Sequence, residues 1–144
     1  MRVVVSTEDL RRMRAHGEET YPFECCGFLL GSAEDGVQRI VDIRIQSNER
    51  TESKEKRFLI SPDQFKAAEK HARAAGLALV GIYHSHPDSP ASPSDYDRDH
   101  AWPWFSYIII SVKTGIAAEA LAWKLRDDRS GFDRMILEEN GEAR

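Results

Sequence analysis

The run Leu77-Ala78-Leu79-Val80-Gly81-Ile82-Tyr83 is apolar at every position and leads straight into His84-Ser85-His86-Pro87. A run this short with no polar side reads as a strand buried on both faces, central in a sheet. Such a strand needs helices as cover, and the sequence supplies them. Ser6 can cap a helix with Glu8 and Asp9 in its first turn, Leu10, Met13 and Gly17 on one face, and Tyr21-Pro22 as its stop. Ser61-Pro62-Asp63-Gln64 starts a second helix, with Phe65, Ala68, Ala72 and Ala75 at helical spacing and Gly76 as its end.

Further strands are expected at Arg2–Val5, Cys25–Gly31, Val37–Ile45, Arg57–Ile60, Trp104–Val112, Ile116–Leu125 and Phe132–Glu138. Glu34-Asp35-Gly36 and Lys113-Thr114-Gly115 read as turns, residues 47–56 as a mobile loop and residues 84–93 as a loop. A short helix ends before Pro103. The expected class is α/β: one domain over residues 1–144, a mixed sheet of six or seven strands, two long helices and one short one. At 144 residues the chain buries enough surface to fold without disulfides, and its two cysteines, Cys25 and Cys26, are sequence neighbours. A reducing cytoplasm is the expected compartment. Twenty Lys and Arg against 24 Asp and Glu give a net charge of -4, so nucleic acid is not an expected partner. The longest charge-free apolar stretch, residues 74–83, is too short to span a bilayer, and no membrane partner is expected.

The chemistry concentrates after the apolar strand. His84 and His86 stand two apart, so extended backbone sends both to one side, where they can bind one divalent ion. Hydrolytic zinc sites have three protein ligands and an open position for water. Asp97, on the short helix, is the leading third ligand, and His100 is an alternative. Glu24, a lone carboxylate just before an apolar strand, is the candidate general base. Ser94-x-x-Asp97 is also the pattern of a helix-capping pair, which needs no metal, and Ser92-Pro93 is a competing helix start. His16 and His71 are expected to be exposed, Cys25 and Cys26 to sit in strand core, and Trp102, Trp104 and Trp123 to pack in the core or its rim.

The pattern Glu24 … His84-x-His86-Pro87 … Ser94-x-x-Asp97 resembles the JAMM, or MPN-plus (Mov34/JAB), zinc metallopeptidases of compact prokaryotic type. The resemblance extends through residues 21–27, Arg57-Phe58 and Gly81-Ile82-Tyr83. It implies Zn2+ held by His84, His86 and Asp97, Glu24 as general acid and base, and Ser94 as the donor that stabilises the oxyanion. It implies a curved sheet between helices, similar to cytidine deaminases. It also implies cleavage of an amide or isopeptide bond at the C-terminal glycines of a ubiquitin-like protein, here a sulfur carrier of the ThiS or MoaD type. A homodimer is left open by the sequence. The alternative within this superfamily is a non-catalytic binding module with a structural metal.

Overall fold

The computed structural model describes residues 1–140. Along the chain lie β1 (Arg2–Val5), α1 (Thr7–Thr20), β2 (Cys26–Glu34), β3 (Val37–Gln46), α2 (Pro62–Ala74) and β4 (Ala78–Pro87). They are followed by α3 (Asp95–His100), β5 (Ser106–Lys113), β6 (Ile116–Leu125) and β7 (Phe132–Glu139). The architecture is α/β with helices of 14, 13 and 6 residues. The seven strands form one mixed sheet in the order β1-β3-β2-β4-β5-β6-β7. β1 pairs in parallel with both β3 and β7, which closes the sheet into a barrel rather than leaving it open and curved. Closure removes both free edges, and a four-residue strand suffices for it.

Successive residues of a strand point to opposite faces, and the core divides accordingly. Leu29, Tyr83, Ile108 and Ile110 pack with Leu10 and Met13 of α1. Phe28, Leu30, Ile82 and Tyr107 pack with Ala68 and Ala72 of α2. The small alanines let α2 lie close to the sheet. Both long helices start as the sequence indicates: Ser6 Oγ accepts from Asp9 N, and Ser61 with Gln64 forms a full capping box.

Four local expectations are corrected. β4 does not end at Tyr83 but continues to Pro87, because β5 pairs with it in parallel as far as Pro87 opposite Val112. Proline, lacking a backbone donor, is compatible with that last position. Residues 57–60 are not a strand, since side-chain bonds from Asn48 occupy Arg57 O and Leu59 N. β5 begins at Ser106, leaving Trp104 exposed and stacked on Trp102 at 5.5 Å. His16 is buried, its Nδ1 2.8 Å from the Tyr83 hydroxyl where α1 meets the sheet, and burial lowers its pKa. Among the described residues no helix is long and apolar enough to cross a membrane.

Candidate metal centre

The site is assembled at the carboxyl end of β4. Ile82, His84 and His86 alternate with Tyr83 and Ser85, so both imidazoles emerge on the α2 face. The two rings sit 5.0 Å apart, and Phe58 covers His84 at 4.7 Å. The β2–β4 register places Cys26 opposite His84, which brings the residues just before β2 alongside. A short clamp holds them there: Cys25 N donates to Ser85 Oγ at 2.8 Å, and Ser85 N donates to Cys25 O at 3.2 Å. Glu24 is thereby buried, 3% exposed, although a lone glutamate would ordinarily stay in water. Its N–H donates to Lys54 O at 2.7 Å and its carbonyl accepts from Asn48 Nδ2 at 3.2 Å.

Beyond Pro87 the chain reverses. Asp88 adopts φ 54° and its carboxylate accepts from the Tyr21 hydroxyl at 2.5 Å and from Thr114 N at 2.8 Å. Trp123 Nε1 donates to Ala91 O at 2.9 Å and anchors the return. Ser94, not Ser92, is the N-cap of α3. Ser94 Oγ accepts from Asp97 N at 3.0 Å, and Ser94 N donates to Asp97 Oδ2 at 2.9 Å. The same Oδ2 lies 3.1 Å from His86 Nε2, and Oδ1 lies 3.7 Å from His84 Nε2. The capping pair and the histidine-facing carboxylate therefore coexist: the cap presses Asp97 against the two rings.

The donor chemistry fits a cation. His86 Nδ1 is 2.9 Å from Pro90 O, which can only accept, so that nitrogen carries the proton. In neutral His86, Nε2 is then a lone pair facing a carboxylate oxygen, an arrangement that calls for positive charge between them. Glu24 Oε1 stands 3.6 Å from His84 Nδ1, too far for a hydrogen bond. Among the described residues both atoms are buried without a hydrogen-bond partner. Glu24, His84 and His86 offer ligand atoms within 4.8 Å of one another, and Asp97 adjoins both histidines. Burial alone would lower the His84 pKa, but Asp97 and Glu24 outweigh it and hold the ring above the ordinary histidine value. Burial would raise Asp97, yet His84 and His86 outweigh it and hold that carboxyl well below the usual range.

Other residues singled out from the sequence fall elsewhere. His100 turns back, with Nδ1 2.8 Å from Tyr96 O and its ring stacked on Tyr96 at 4.0 Å. Cys25 and Cys26 are buried on opposite faces, and burial pushes the Cys25 thiol up to about 12 and Cys26 higher still. A residue not anticipated is Asn48. Its side chain donates to Glu24 O and Arg57 O and accepts from Arg50 N and Leu59 N. An asparagine in a charged segment carries no periodic signal that would single it out. Two cavities flank the centre. One of about 140 Å³ is bordered by His84, Asp97 and aromatic rings; one of about 610 Å³ is bordered by Glu24, His86 and Ser94.

Residues 6–126 match the family described as prokaryotic homologs of the JAB domain, and the chain belongs to that family. Among curated relatives, the tail tip assembly protein K of Escherichia phage N15 is 37% identical over 84 residues, 58% of this chain. This chain spans only 30% of that protein's length. A desampylase of Pyrococcus furiosus is 33% identical over 106 residues, 72% of this chain and 68% of that protein. A probable TtuB-protein conjugate cleaving protease of Thermus thermophilus is 32% identical over 104 residues, 72% of this chain and 66% of that protein. The solution structure of a Desulfitobacterium hafniense protein superposes with a TM-score of 0.80 at 28% identity, covering 97% of this chain and 95% of that one.

Proposed function

We propose that this chain is a zinc-dependent peptidase or isopeptidase. Its substrate is an amide bond at the Gly-Gly C-terminus of a ubiquitin-like sulfur carrier of the ThiS or MoaD type. The observation that carries the reading is the buried convergence of Glu24, His84 and His86 with Asp97, in which Glu24 Oε1 and His84 Nδ1 face each other without hydrogen-bond partners. The relatives named as a desampylase and as a TtuB-protein conjugate cleaving protease support the substrate class.

His84, His86 and Asp97 would hold the ion, with Glu24 as the nearest further carboxylate. Bound there, Zn2+ supplies Lewis acidity, polarising a carbonyl and acidifying water. Glu24 Oε1, held out of solvent beside the histidines, takes up the proton that the attacking water must lose and returns it to the departing amine. Ser94 Oγ accepts from Asp97 N, which leaves its own hydroxyl proton free for the carbonyl oxygen as charge builds there. Glycines suit such a site because a tail without side chains lets its main chain come close to Glu24 and Ser94.

The test joins metal content to intact mass. Carriers with an extension after Gly-Gly are incubated with the zinc-loaded protein and weighed. The reading expects the mass of the extension to be lost. Asp97→Ala should lower bound zinc while remaining folded. Glu24→Gln should keep zinc and lose turnover, which also separates an enzyme from a binding module. No mass loss with any extended Gly-Gly carrier overturns the substrate class.

A further inference from the structure

We infer that the site selects the residue following the Gly-Gly pair, and that it selects an apolar side chain there. The inference rests on the cleavage position just proposed. The smaller of the two cavities is its basis. His84 and Asp97, two of the three proposed ligands, form part of its wall, and Glu24, His86 and Ser94 border the larger cavity on the other side, so a residue leaving the ion on the far side from Glu24 meets this recess first. Apart from His100, whose Nδ1 faces Tyr96 O at 2.8 Å, the rest of the wall is aromatic and aliphatic, including Phe58, Leu59, Tyr96 and Trp102. Its volume of about 140 Å³ is comparable with the roughly 150 Å³ apolar cavities that accept benzene.

The cavity ends blindly against the sheet. Ile82 of β4 and Tyr107 of β5 are register partners, as are His84 and Ile109, and all four residues line it. Ile82, Tyr107 and Ile109 are buried core residues. A continuing polypeptide therefore cannot thread through, whereas a single side chain can enter and stop.

Which side chain follows from position. The two residues before the scissile bond are glycines under the proposed function and have nothing to insert. The residue after it is the nearest one that carries a side chain. A leucine, methionine or phenylalanine there would lose its apolar surface to the aromatic walls. A lysine or aspartate would have to carry its charge past His84 and Asp97 onto the apolar floor of Ile82, Tyr107 and Ile109. An isopeptide-linked lysine cannot fill the recess, because its stem runs on into main chain where the sheet blocks the way, so it gains nothing from it. The preferred substrate is thus a carrier whose Gly-Gly is followed by an apolar C-terminal residue, and its product is the trimmed carrier.

The test uses the zinc-loaded full chain and carriers ending in Gly-Gly-X, with X as Leu, Met, Phe, Gly, Asp or Lys. A carrier joined through Gly-Gly to a lysine side-chain amine is added. Complete burial of such a side chain corresponds to about tenfold to a hundredfold in kcat/KM over Gly. Leu, Met and Phe are expected to lead by at least tenfold. Leu59→Glu, a change at a partly exposed wall residue, should erase that lead. In parallel, binding of acetyl-Gly-Gly-X peptides to Glu24→Gln is followed by tryptophan fluorescence. Equal rates across X, or fastest cleavage of the lysine conjugate, overturn the inference and leave the proposed function standing. If no carrier is cleaved, the proposed function fails and the peptides decide: a tenfold preference for apolar X upholds the pocket, and flat binding removes it.

Discussion

Asn48→Ala tests whether one amide organises the segment around Glu24. Its four hydrogen bonds, to Glu24 O, Arg57 O, Arg50 N and Leu59 N, measure 3.2, 3.0, 3.0 and 3.0 Å. A net contribution of about 0.5–1.5 kcal/mol for each gives a gross range of about 2–6 kcal/mol. Water can replace part of this, because the segment is half exposed. A loss of about 2–3 kcal/mol is expected after that discount. Urea unfolding should show a lower midpoint with an unchanged m-value. Asn48→Asp sharpens the test. It keeps both acceptor contacts but sets carboxylate oxygen against the carbonyls of Glu24 and Arg57, so it should destabilise at least as much as alanine. Zinc content should persist in both variants while turnover falls, since Glu24 keeps its bond to Lys54 O but loses the one that holds its carbonyl. A change below about 0.5 kcal/mol for alanine, or an aspartate variant as stable as wild type, would refute the assignment of Asn48 as an organiser.

Further outcomes follow from the same geometry. In the metal-free protein the raised His84 pKa contributes stability that is complete below about pH 6.5 and lost as pH rises through the folded value. The depressed Asp97 pKa contributes stability above about pH 4 that is lost on further acidification. Both express the same ion pair, so the metal-free Tm should peak between about pH 4 and 6.5, and a metal-free Tm that climbs steadily from pH 6 to 9 would contradict this. Gly27→Ala places a Cβ 2.2 Å from the Tyr83 ring and should cost about 1–3 kcal/mol by denaturant unfolding. Ser94→Gly should lower stability by only a few tenths of a kcal/mol, because glycine is an adequate N-cap, yet reduce turnover by about a hundredfold through loss of the hydroxyl. Equal turnover in that variant would assign Ser94 to capping alone.

Several elements could be read from local pattern. Ser6 and Ser61 start the helices as their capping residues indicate, because a cap is a contact within one turn. The central apolar strand and the two histidines on one side of it follow from the two-residue period. Ser94 and Asp97 are likewise three residues apart, and their mutual bonds are local. The resemblance through Glu24, His84, His86, Ser94 and Asp97 pointed to the family that residues 6–126 match.

Other features depended on strands meeting from distant parts of the chain. β4 continues to Pro87 only because β5 lies beside it, and a partner strand is invisible in a local window. The barrel closes through β1 between β3 and β7, contacts that no periodicity encodes. His16 is buried because α1 turns that face onto Tyr83. Residues 57–60 end in the apolar run Phe58-Leu59-Ile60, which suits a strand, but an asparagine side chain takes the backbone groups that a ladder would use. Thus the chain's own order of residues set the period, the caps and the spacing of the histidines and aspartate, since those interactions span a turn or a strand. The approach of Glu24 to His84, and the aromatic recess beside them, arose from sheet register and packing, which join residues whose separation along the chain says nothing about their distance in space.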